Sequence, residues 1–361
     1  MNERRERIRA RLETLGADAL LVTKPVNVRY LSGYSGSNGQ LIVGREDVFM
    51  TDGRYEEQSS HEVPDMRREI YPVSSRTIGE AAGVYGTLVS VLGGMNIRRL
   101  GVEAGHMTLE MAGGISDAMP SVGLVETFDE VEDLRAIKDE REIASMRRAH
   151  NVADDALAAV LHQLKEGMTE VELAALLEFE MREGGSEGVS FNTIAGFGEQ
   201  AAEPHHNPGG RTLRRGDMIK VDFGATVDGY HSDMTRTFAF GEPSAEMVEI
   251  YEVVKAANRA GLDRVRAGAG TGDVDDAARA VVREHGYDYG HGTGHGVGLE
   301  IHESPPVRTG AQTVMQEGMV LTVEPGIYLP GIGGVRIEDT VVVRADGCDI
   351  LTGSTKELVI I

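Results

Sequence analysis

The stretch KVDFGATVDGYHSDMTRTFAF, residues 220–240, carries the clearest structural signal in the chain. Its Asp228-Gly229 pair lies between two runs of β-prone residues, which is the pattern of a two-residue hairpin turn. The sequence therefore predicts a tight antiparallel hairpin, and the register of that hairpin decides which of its polar side chains lie together.

Two aspartates of this hairpin are predicted to share one face. With the turn at residues 228–229, Asp222 lies opposite Thr235 and Asp233 lies opposite Gly224. Because side chains alternate along a strand, both carboxylates project to the same side. Close carboxylates repel unless a cation lies between them, and hard divalent cations prefer oxygen ligands. Taken alone, Asp222 would more simply cap a turn or form an ion pair than bind a metal.

A second hairpin repeats this arrangement about a hundred residues later. The runs MVLTVEP (319–325) and GVRIEDTVVV (334–343) read as strands, and a turn centred on Gly331 would place Glu324 opposite Glu338. Burying four carboxylates together without cations would cost several kcal/mol. The sequence therefore predicts two cations, although Glu338 beside Arg336 could also be a surface ion pair.

The segment HGTGHGVGLEIHE, residues 291–303, lies between the two hairpins and places three histidines among glycines. Glycine lets the backbone approach a site closely, and a neutral imidazole is a common metal ligand. One of His291, His295 and His302 could therefore complete the metal site. Each of these histidines taken singly would more simply be a loop residue.

The chain is predicted to be α/β (α+β), with two domains at residues 1–132 and 133–361. Its first third mixes strand-like and helical runs, and the boundary falls near 130–136, after which a long helical pattern runs from Ala136 to Gly167. A second helix is predicted to start at Thr169, where Glu172 completes a capping box. A similar helix start at Thr271 lies 102 residues later, the spacing that also separates Asp222 from Glu324. An internal repeat of two related halves is the simplest explanation.

The composition excludes several classes of partner. A net charge of −22 disfavours binding to nucleic acid or to an anionic membrane surface. Cys348 is the single cysteine, so an intramolecular disulfide is excluded. The charged N-terminus lacks an apolar signal core, and no run of apolar residues is long enough to cross a bilayer. We expect a soluble, cytoplasmic protein.

Five short motifs together resemble those of the pita-bread metallopeptidases, a family that includes prolidase, aminopeptidase P and methionine aminopeptidase. They are VDFG with Asp222, HSDMTRTF with Asp233, GTGHGVGLEIHE with His295, TVEPGIY with Glu324 and GVRIEDT with Glu338. The resemblance covers roughly residues 136–361. The N-terminal segments NVRYLSGYSGSNGQLIV (27–43) and FMTDGRY (49–55) resemble the creatinase/prolidase N-terminal domain, which methionine aminopeptidases lack. The expected fold is therefore this α/β domain followed by a pita-bread catalytic domain with a pseudo-twofold repeat.

The resemblance also implies a role for each metal-site residue. Asp222 would bind one divalent ion, His295 and Glu324 would bind the other, and Asp233 and Glu338 would bridge the two. Manganese or cobalt is the expected metal, with iron and zinc also compatible with such ligands. The family further implies a homodimer.

Catalytic and substrate-binding residues follow from the same resemblance. Glu324 would move a proton, and His205 and His302 would hold the substrate or the tetrahedral intermediate. His291 would line the pocket, while Arg336 or a histidine would bind the carboxylate of a dipeptide.

The expected activity is hydrolysis of the peptide bond before proline, in proline-containing dipeptides or short peptides. An Xaa-Pro dipeptidase is favoured over an Xaa-Pro aminopeptidase. A metal-free creatinase-like hydrolase and a non-catalytic binding protein are further alternatives, although both usually lose metal ligands. Two positions depart from the common family pattern, His206 after His205 and Gly292-Thr293 before Gly294, and neither removes a ligand.

Overall fold

The computed structural model describes residues 1–73 and 83–361, which form two compact units, Met1–Arg135 and Ala136–Ile361. None of the helices within these described ranges is both long and apolar enough to span a bilayer.

The first unit is an α/β layer built on a mixed six-stranded sheet. Its elements are α1 (Asn2–Leu15), β1 (Ala19–Val22), α2 (Pro25–Ser32), β2 (Gln40–Val43), β3 (Val48–Asp52), a 3-10 turn (Gly53–Tyr55), α3 (Glu56–Glu62), β4 (Arg67–Tyr71), α4 (Val84–Gly94), β5 (Arg99–Glu103), α5 (Leu109–Ala118), β6 (Gly123–Thr127) and α6 (Glu132–Ala136), which crosses the division. The strand order is β4-β3-β2-β1-β5-β6. Strands β1 to β3 are joined antiparallel, and the remaining pairs are parallel.

The second unit contains the two predicted hairpins. Its elements are α7 (Glu140–Leu161), α8 (Glu170–Glu183), β7 (Gly188–Val189), β8 (Ile194–Phe197), a 3-10 turn (Gly198–Ala202), β9 (Asp217–Phe223), β10 (Ala225–Val227), β11 (Tyr230–His231), β12 (Met234–Phe240), α9 (Ala245–Leu262), α10 (Thr271–Glu284), β13 (Gly294–Gly296), β14 (Glu303–Val307), β15 (Val320–Val323), β16 (Gly326–Leu329), β17 (Gly333–Arg336), β18 (Asp339–Val343) and β19 (Cys348–Ile350). The three sheets that position the site have the orders β12-β9-β8, β14-β13-β15-β18-β19 and β16-β17, and the small sheet β11-β10-β7 completes the first hairpin.

The first hairpin has the predicted register. Asp228 and Gly229 both have positive φ, 52° and 78°, as a tight turn between twisted strands requires. Thr235 pairs with Asp222, as the turn position predicts. Regular pairing stops at Gly224, where an added Cβ would lie 1.9 Å from the carbonyl oxygen of Ser232. The hairpin therefore bends where the second aspartate, residue 233, projects.

The second hairpin is interrupted in the same way. Val323 pairs with Asp339 and Gly326 pairs with Arg336, a register that leaves Glu324 opposite Glu338 in the gap between the two paired segments. The turn contains Gly331 with φ 78°, at the predicted centre. Asp233 and the two glutamates thus lie at breaks in the strand pairing, and Asp222 lies two residues before the break at Gly224.

The internal repeat is present, with one shift from the predicted spacing. Helices α8 and α10 begin at Glu170 and Thr271, so they are offset by 101 residues, not 102. Thr169 caps α8 as predicted, whereas the residue before α10 is Gly270 and Thr271 already lies within the helix. Strands β9 and β15 occupy equivalent places in their sheets. Strand β9 lies between its hairpin partner β12 and the earlier strand β8, and β15 lies between its hairpin partner β18 and the earlier strand β13.

Helix α7 is shorter at both ends than the sequence pattern predicts. It begins at Glu140 because the Asp139 carboxylate accepts hydrogen bonds from two backbone N–H groups of the first turn. It ends at Leu161, and Gly167 lies beyond the helix with φ 87° and donates its N–H to the carbonyl of Leu213. The prediction of Gly167 as the helix stop was therefore wrong, because residues 162–167 form turns and are not helical.

The core of the second unit packs helices against the sheets that carry the site. One cluster joins α7 and α8 to the first hairpin through Leu157, Leu177, Ile219 and Phe238. A second cluster, which includes Tyr251, packs α9 against the second hairpin. Rigid packing of both hairpins fixes their relative positions, which is what a multi-residue site requires.

Thr169→Ala should lower the stability of the protein. The Thr169 hydroxyl accepts a hydrogen bond from the N–H of Glu172, and its loss should cost about 1 kcal/mol. For a unit of this size we expect a fall in melting temperature of about 2–4 °C. Thr169→Ser keeps the capping oxygen and should melt like the wild type; equal losses in both variants would exclude the cap as the cause.

Candidate metal centre

Three buried carboxylates meet at the point where the two hairpins converge. Oxygens of Asp222, Asp233 and Glu338 all lie within 4.8 Å of one another. Asp222 comes from β9, Asp233 immediately precedes β12, and Glu338 immediately precedes β18. The predicted convergence of the two hairpins is therefore present in the folded chain.

His295 and Glu324 extend this cluster on one side. The Nε2 atom of His295 lies 3.5 Å from Asp233 Oδ2 and 3.5 Å from Glu324 Oε1. Its Nδ1 lies 3.0 Å from the carbonyl oxygen of Gly296, and donation to that carbonyl places the proton on Nδ1. The lone pair of Nε2 is then directed at the carboxylates, the usual state of a metal-binding imidazole.

The acidic groups carry a large electrostatic cost in this position. Burial, followed by the neighbouring carboxylates, raises the pKa of both Asp233 and Glu338 well above the ordinary range. Burial likewise raises the pKa of Glu324 to about 7, and Arg336 opposes this shift only in part. Asp222 Oδ1 and Glu338 Oε1 are buried without a hydrogen-bond partner in the structure. Orphaned carboxylate oxygens beside a directed imidazole fit a site for divalent cations.

Arg336 holds one of the candidate metal ligands in place through a hydrogen bond. Its Nη2 donates to Asp222 Oδ2, and its Nε donates to the Thr235 hydroxyl at 2.9 Å. Its Nη1 donates to the carbonyl of Pro204 at 3.1 Å and to the Tyr328 hydroxyl at 2.9 Å. All three guanidinium nitrogens thus donate to protein groups, and one of these groups is the carboxylate of Asp222, a candidate metal ligand.

The remaining predicted histidines line the same cavity, whose volume is about 410 Å³. The ring of His302 packs edge-on against the ring of His295, with 4.4 Å between the ring centroids. Burial lowers the pKa of His302 and lowers that of His291 to about 4. His291 contacts the Tyr328 hydroxyl through Nε2 at 2.9 Å. All nine predicted site residues border this cavity: His205, Asp222, Asp233, His291, His295, His302, Glu324, Arg336 and Glu338.

Several cavity residues were not predicted from the sequence. Phe191, Ile194 and Ile301 supply apolar wall, and Asn192 and Asn207 supply amide groups. Ile194 is the first residue of the short strand β8, and the other four lie in loops, where neither periodicity nor ligand chemistry marks them.

Tyr328 was also missed, although it stands within the quoted motif TVEPGIY. Its hydroxyl joins Arg336 to His291, and burial raises its pKa to about 12. The motif could have drawn attention to this residue, but its role depends on contacts that only the folded chain makes.

The second departure from the family pattern, Thr293, has a structural role beside the site. Its N–H and hydroxyl both donate to Asp275 Oδ1, at 3.1 Å and 2.6 Å. Arg279 pairs with Asp275 and donates to the carbonyl of His291 at 2.7 Å. Helix α10 therefore anchors the segment that carries the cavity histidines.

In the metal-free protein the Glu324 side chain should contribute less stability as the pH rises from 4.5 to about 7. The folded state raises the pKa of Glu324 from 4.5 to about 7, so this group binds more protons in the folded than in the unfolded chain in this window. Its contribution then falls with rising pH, and those of Asp233 and Glu338 have the same sign. Buried histidines such as His291, whose pKa is lowered to about 4, contribute with the opposite sign, so the test compares the melting temperatures of chelated wild-type and chelated Glu324→Gln protein. The wild type should lose stability relative to the variant as the pH rises, and a relative gain would contradict the prediction.

The comparisons with known proteins agree with this geometry. Residues 144–345 match metallopeptidase family M24, and residues 4–137 match the creatinase/prolidase N-terminal domain. An Xaa-Pro dipeptidase of Pyrococcus furiosus is 35% identical over 360 residues, covering 99% of this chain and 100% of that protein. The structure of an Xaa-Pro dipeptidase from Bacillus anthracis matches with TM-score 0.95 and 36% identity over 100% of this chain and 99% of that one. The structure of an X-Pro aminopeptidase from Thermotoga maritima matches with TM-score 0.89 and 35% identity, covering 97% of this chain and 100% of that one. With its hairpins, its acidic cluster and these full-length matches, the chain belongs to metallopeptidase family M24 and carries the creatinase/prolidase N-terminal domain.

Proposed function

We propose that this protein is a dinuclear-metal Xaa-Pro dipeptidase. The observation that carries the proposal is the convergence of four carboxylates and one imidazole on a single cavity in the second unit. Full-length relatives named Xaa-Pro dipeptidase, from Pyrococcus furiosus and Pyrococcus horikoshii, are each 35% identical to the chain and support the choice of substrate.

The geometry supports a division of the ligands between two ions. Asp233 lies within reach of Asp222 and Glu338 on one side and of His295 on the other. Asp233 and Glu338 are therefore proposed as bridging ligands, Asp222 as a ligand of one ion, and His295 with Glu324 as ligands of the other. Manganese is the proposed metal, and cobalt, iron or zinc would suit the same ligand types.

Each neighbouring side chain has a proposed task in hydrolysis. When bound, two divalent cations would supply the chemistry that activates water and stabilises negative charge on the attacked carbonyl. Glu324 accepts and returns the proton, and His205 and His302 donate hydrogen bonds to the substrate as charge develops. Arg336 holds Asp222 in place, and His291 forms part of the cavity wall.

The apolar part of the cavity suits a proline ring. Phe191, Ile194 and Ile301 provide this surface beside the acidic cluster. A dipeptide also presents a free carboxylate, which needs a donor or a cation. Because the nitrogens of Arg336 already contact protein groups, His205 and His302 are the better placed candidates for that contact.

An Xaa-Pro aminopeptidase acting on longer peptides is the second candidate. The Thermotoga maritima structure that carries this name matches almost the full length of the chain at 35% identity, close to the dipeptidase values. The two activities share the metal chemistry, so the length of the accepted peptide distinguishes them.

The cellular setting remains a proposal from the family resemblance. We propose a homodimer that acts in the cytoplasm. The net charge of −22 supports the expectation of no nucleic-acid or anionic-membrane partner.

Chelated protein reloaded with manganese should hydrolyse Ala-Pro. We expect little cleavage of Ala-Ala, because the apolar wall is proposed to select the proline ring. Release of alanine from Ala-Pro and from Ala-Pro-Ala is the measurement. Preference for Ala-Pro supports the dipeptidase, preference for the tripeptide supports the aminopeptidase, and absence of metal-dependent cleavage of both would refute the proposed peptidase activity.

Asp233→Asn should reduce metal-dependent hydrolysis by at least about a hundredfold. Mutation of a residue that only hydrogen-bonds a metal ligand costs about 10- to 100-fold in activity, and loss of a bridging ligand should cost more. Asp228→Asn provides a matched control, since Asp228 lies on the same hairpin with φ 52°, which asparagine tolerates. The control should retain activity, and both variants should give the circular dichroism spectrum of the wild type. An active Asp233→Asn protein would rule out the bridging role.

A further inference from the structure

His206, the residue that departs from the family pattern next to His205, is held between two glutamates. Its Nδ1 lies 2.7 Å from Glu203 Oε2, and its Nε2 lies 2.9 Å from Glu170 Oε2. The ring is 8% exposed and Glu170 is fully buried, whereas Glu203 is 66% exposed. One imidazole therefore connects a buried carboxylate to a surface carboxylate.

This arrangement favours the charged form of the ring. An ionised carboxylate can only accept hydrogen bonds, so two carboxylates require a proton on both ring nitrogens. Burial lowers the pKa of His206, but the hydrogen bonds that the ring donates to Glu203 and Glu170 outweigh burial and raise the pKa above 6.5. The charged groups facing the ring are Glu170 from α8 and Glu203 from the segment of His206 itself.

Glu170 is an anchor for more than this histidine. As the first residue of α8, its carboxylate accepts from the backbone N–H of Phe197 at 2.9 Å and of Gly209 at 3.0 Å. It thus joins the end of β8 to the segment that contains His206. Loss of the histidine contact would leave a buried carboxylate without its charged partner.

The anchored segment forms one wall of the catalytic cavity. Pro204, His205 and Asn207 line that cavity, while the side chain of His206 turns towards the two glutamates. The backbone of the segment is also fixed near its start, where Lys220 donates to the carbonyl of Glu203 and Arg336 to that of Pro204. His206 provides the corresponding side-chain attachment on the far side of His205.

We propose that His206 is a positioning residue for peptide hydrolysis: by bridging Glu170 and Glu203 it fixes the Pro204–Asn207 wall against which the substrate binds. This inference rests on the proposed peptidase function. It predicts that the bridge acts on substrate binding through His205 and Asn207, with no contact between His206 and the reacting atoms.

The bridge also makes substrate binding depend on pH. Because the folded state raises the pKa of His206, the doubly bonded form is present at low pH and is lost as the pH rises through that value, above 6.5. A neutral ring can donate to only one carboxylate, so the wall loosens on the alkaline side. The KM for Ala-Pro should rise over this window.

His206→Ala should raise the KM for Ala-Pro about tenfold or more with a much smaller change in kcat, because a displaced wall weakens binding of the substrate and the transition state alike. His206→Gln can donate to one carboxylate and should recover part of the loss. Its KM should not follow the alkaline rise of the wild type. His285→Ala, at an exposed histidine after α10, is the matched control and should leave KM and its pH dependence unchanged.

Nuclear magnetic resonance of zinc-loaded wild-type protein gives a measurement that does not depend on activity. The His206 ring should titrate above 6.5, and the side-chain amide of Asn207 should shift with the same midpoint. If neither variant folds, this titration decides the proposal. A ring that titrates at or below 6.5, or a folded His206→Ala enzyme with the wild-type KM and pH profile, would overturn it. A wild-type enzyme inactive on Ala-Pro would instead refute the proposed function, while the titration still tests the bridge.

Discussion

The second unit is organised around a group of buried carboxylates that repel one another. Asp222, Asp233 and Glu338 lie within 4.8 Å of one another, and burial with this crowding raises the pKa of Asp233 and Glu338 well above the usual range. Such a cluster persists only if the surrounding structure holds it in place or cations neutralise it. The packed hairpins supply the first condition, and the ligand set is suited to the second.

Both hairpins have an interruption in their strand pairing close to their acidic residues. Regular pairing would point acidic side chains along a flat sheet face, but each hairpin breaks its ladder beside its acidic residues. Gly224 permits the close backbone approach in the first hairpin, and Pro325 follows Glu324 in the second. The bends turn the two strands towards a shared centre, so the repeat produces one site from two similar halves.

The loops around the centre are anchored by buried acids on the two repeat-related helices. Glu170 on α8 holds His206 and the segment that carries His205. Asp275 on α10 holds Thr293 and, through Arg279, the segment that carries His291. The two positions that depart from the family pattern are therefore the positions at which these acids bind. Their side chains act on the cavity from outside its lining.

Local sequence determined much of this protein. Asp228-Gly229 and Gly331 set the register of both hairpins, because a tight turn and the alternation of strand side chains leave little freedom in which residues face one another. Thr169 and Glu172 likewise determined the start of α8. Tertiary structure decided what depends on contacts between distant segments: the end of α7 before Gly167, the attachment of Arg336 to Asp222, and the apolar wall that includes Ile301. These features could not be read from the sequence, because local propensity encodes turns and faces, whereas burial and charge pairing between segments exist only after the chain has packed.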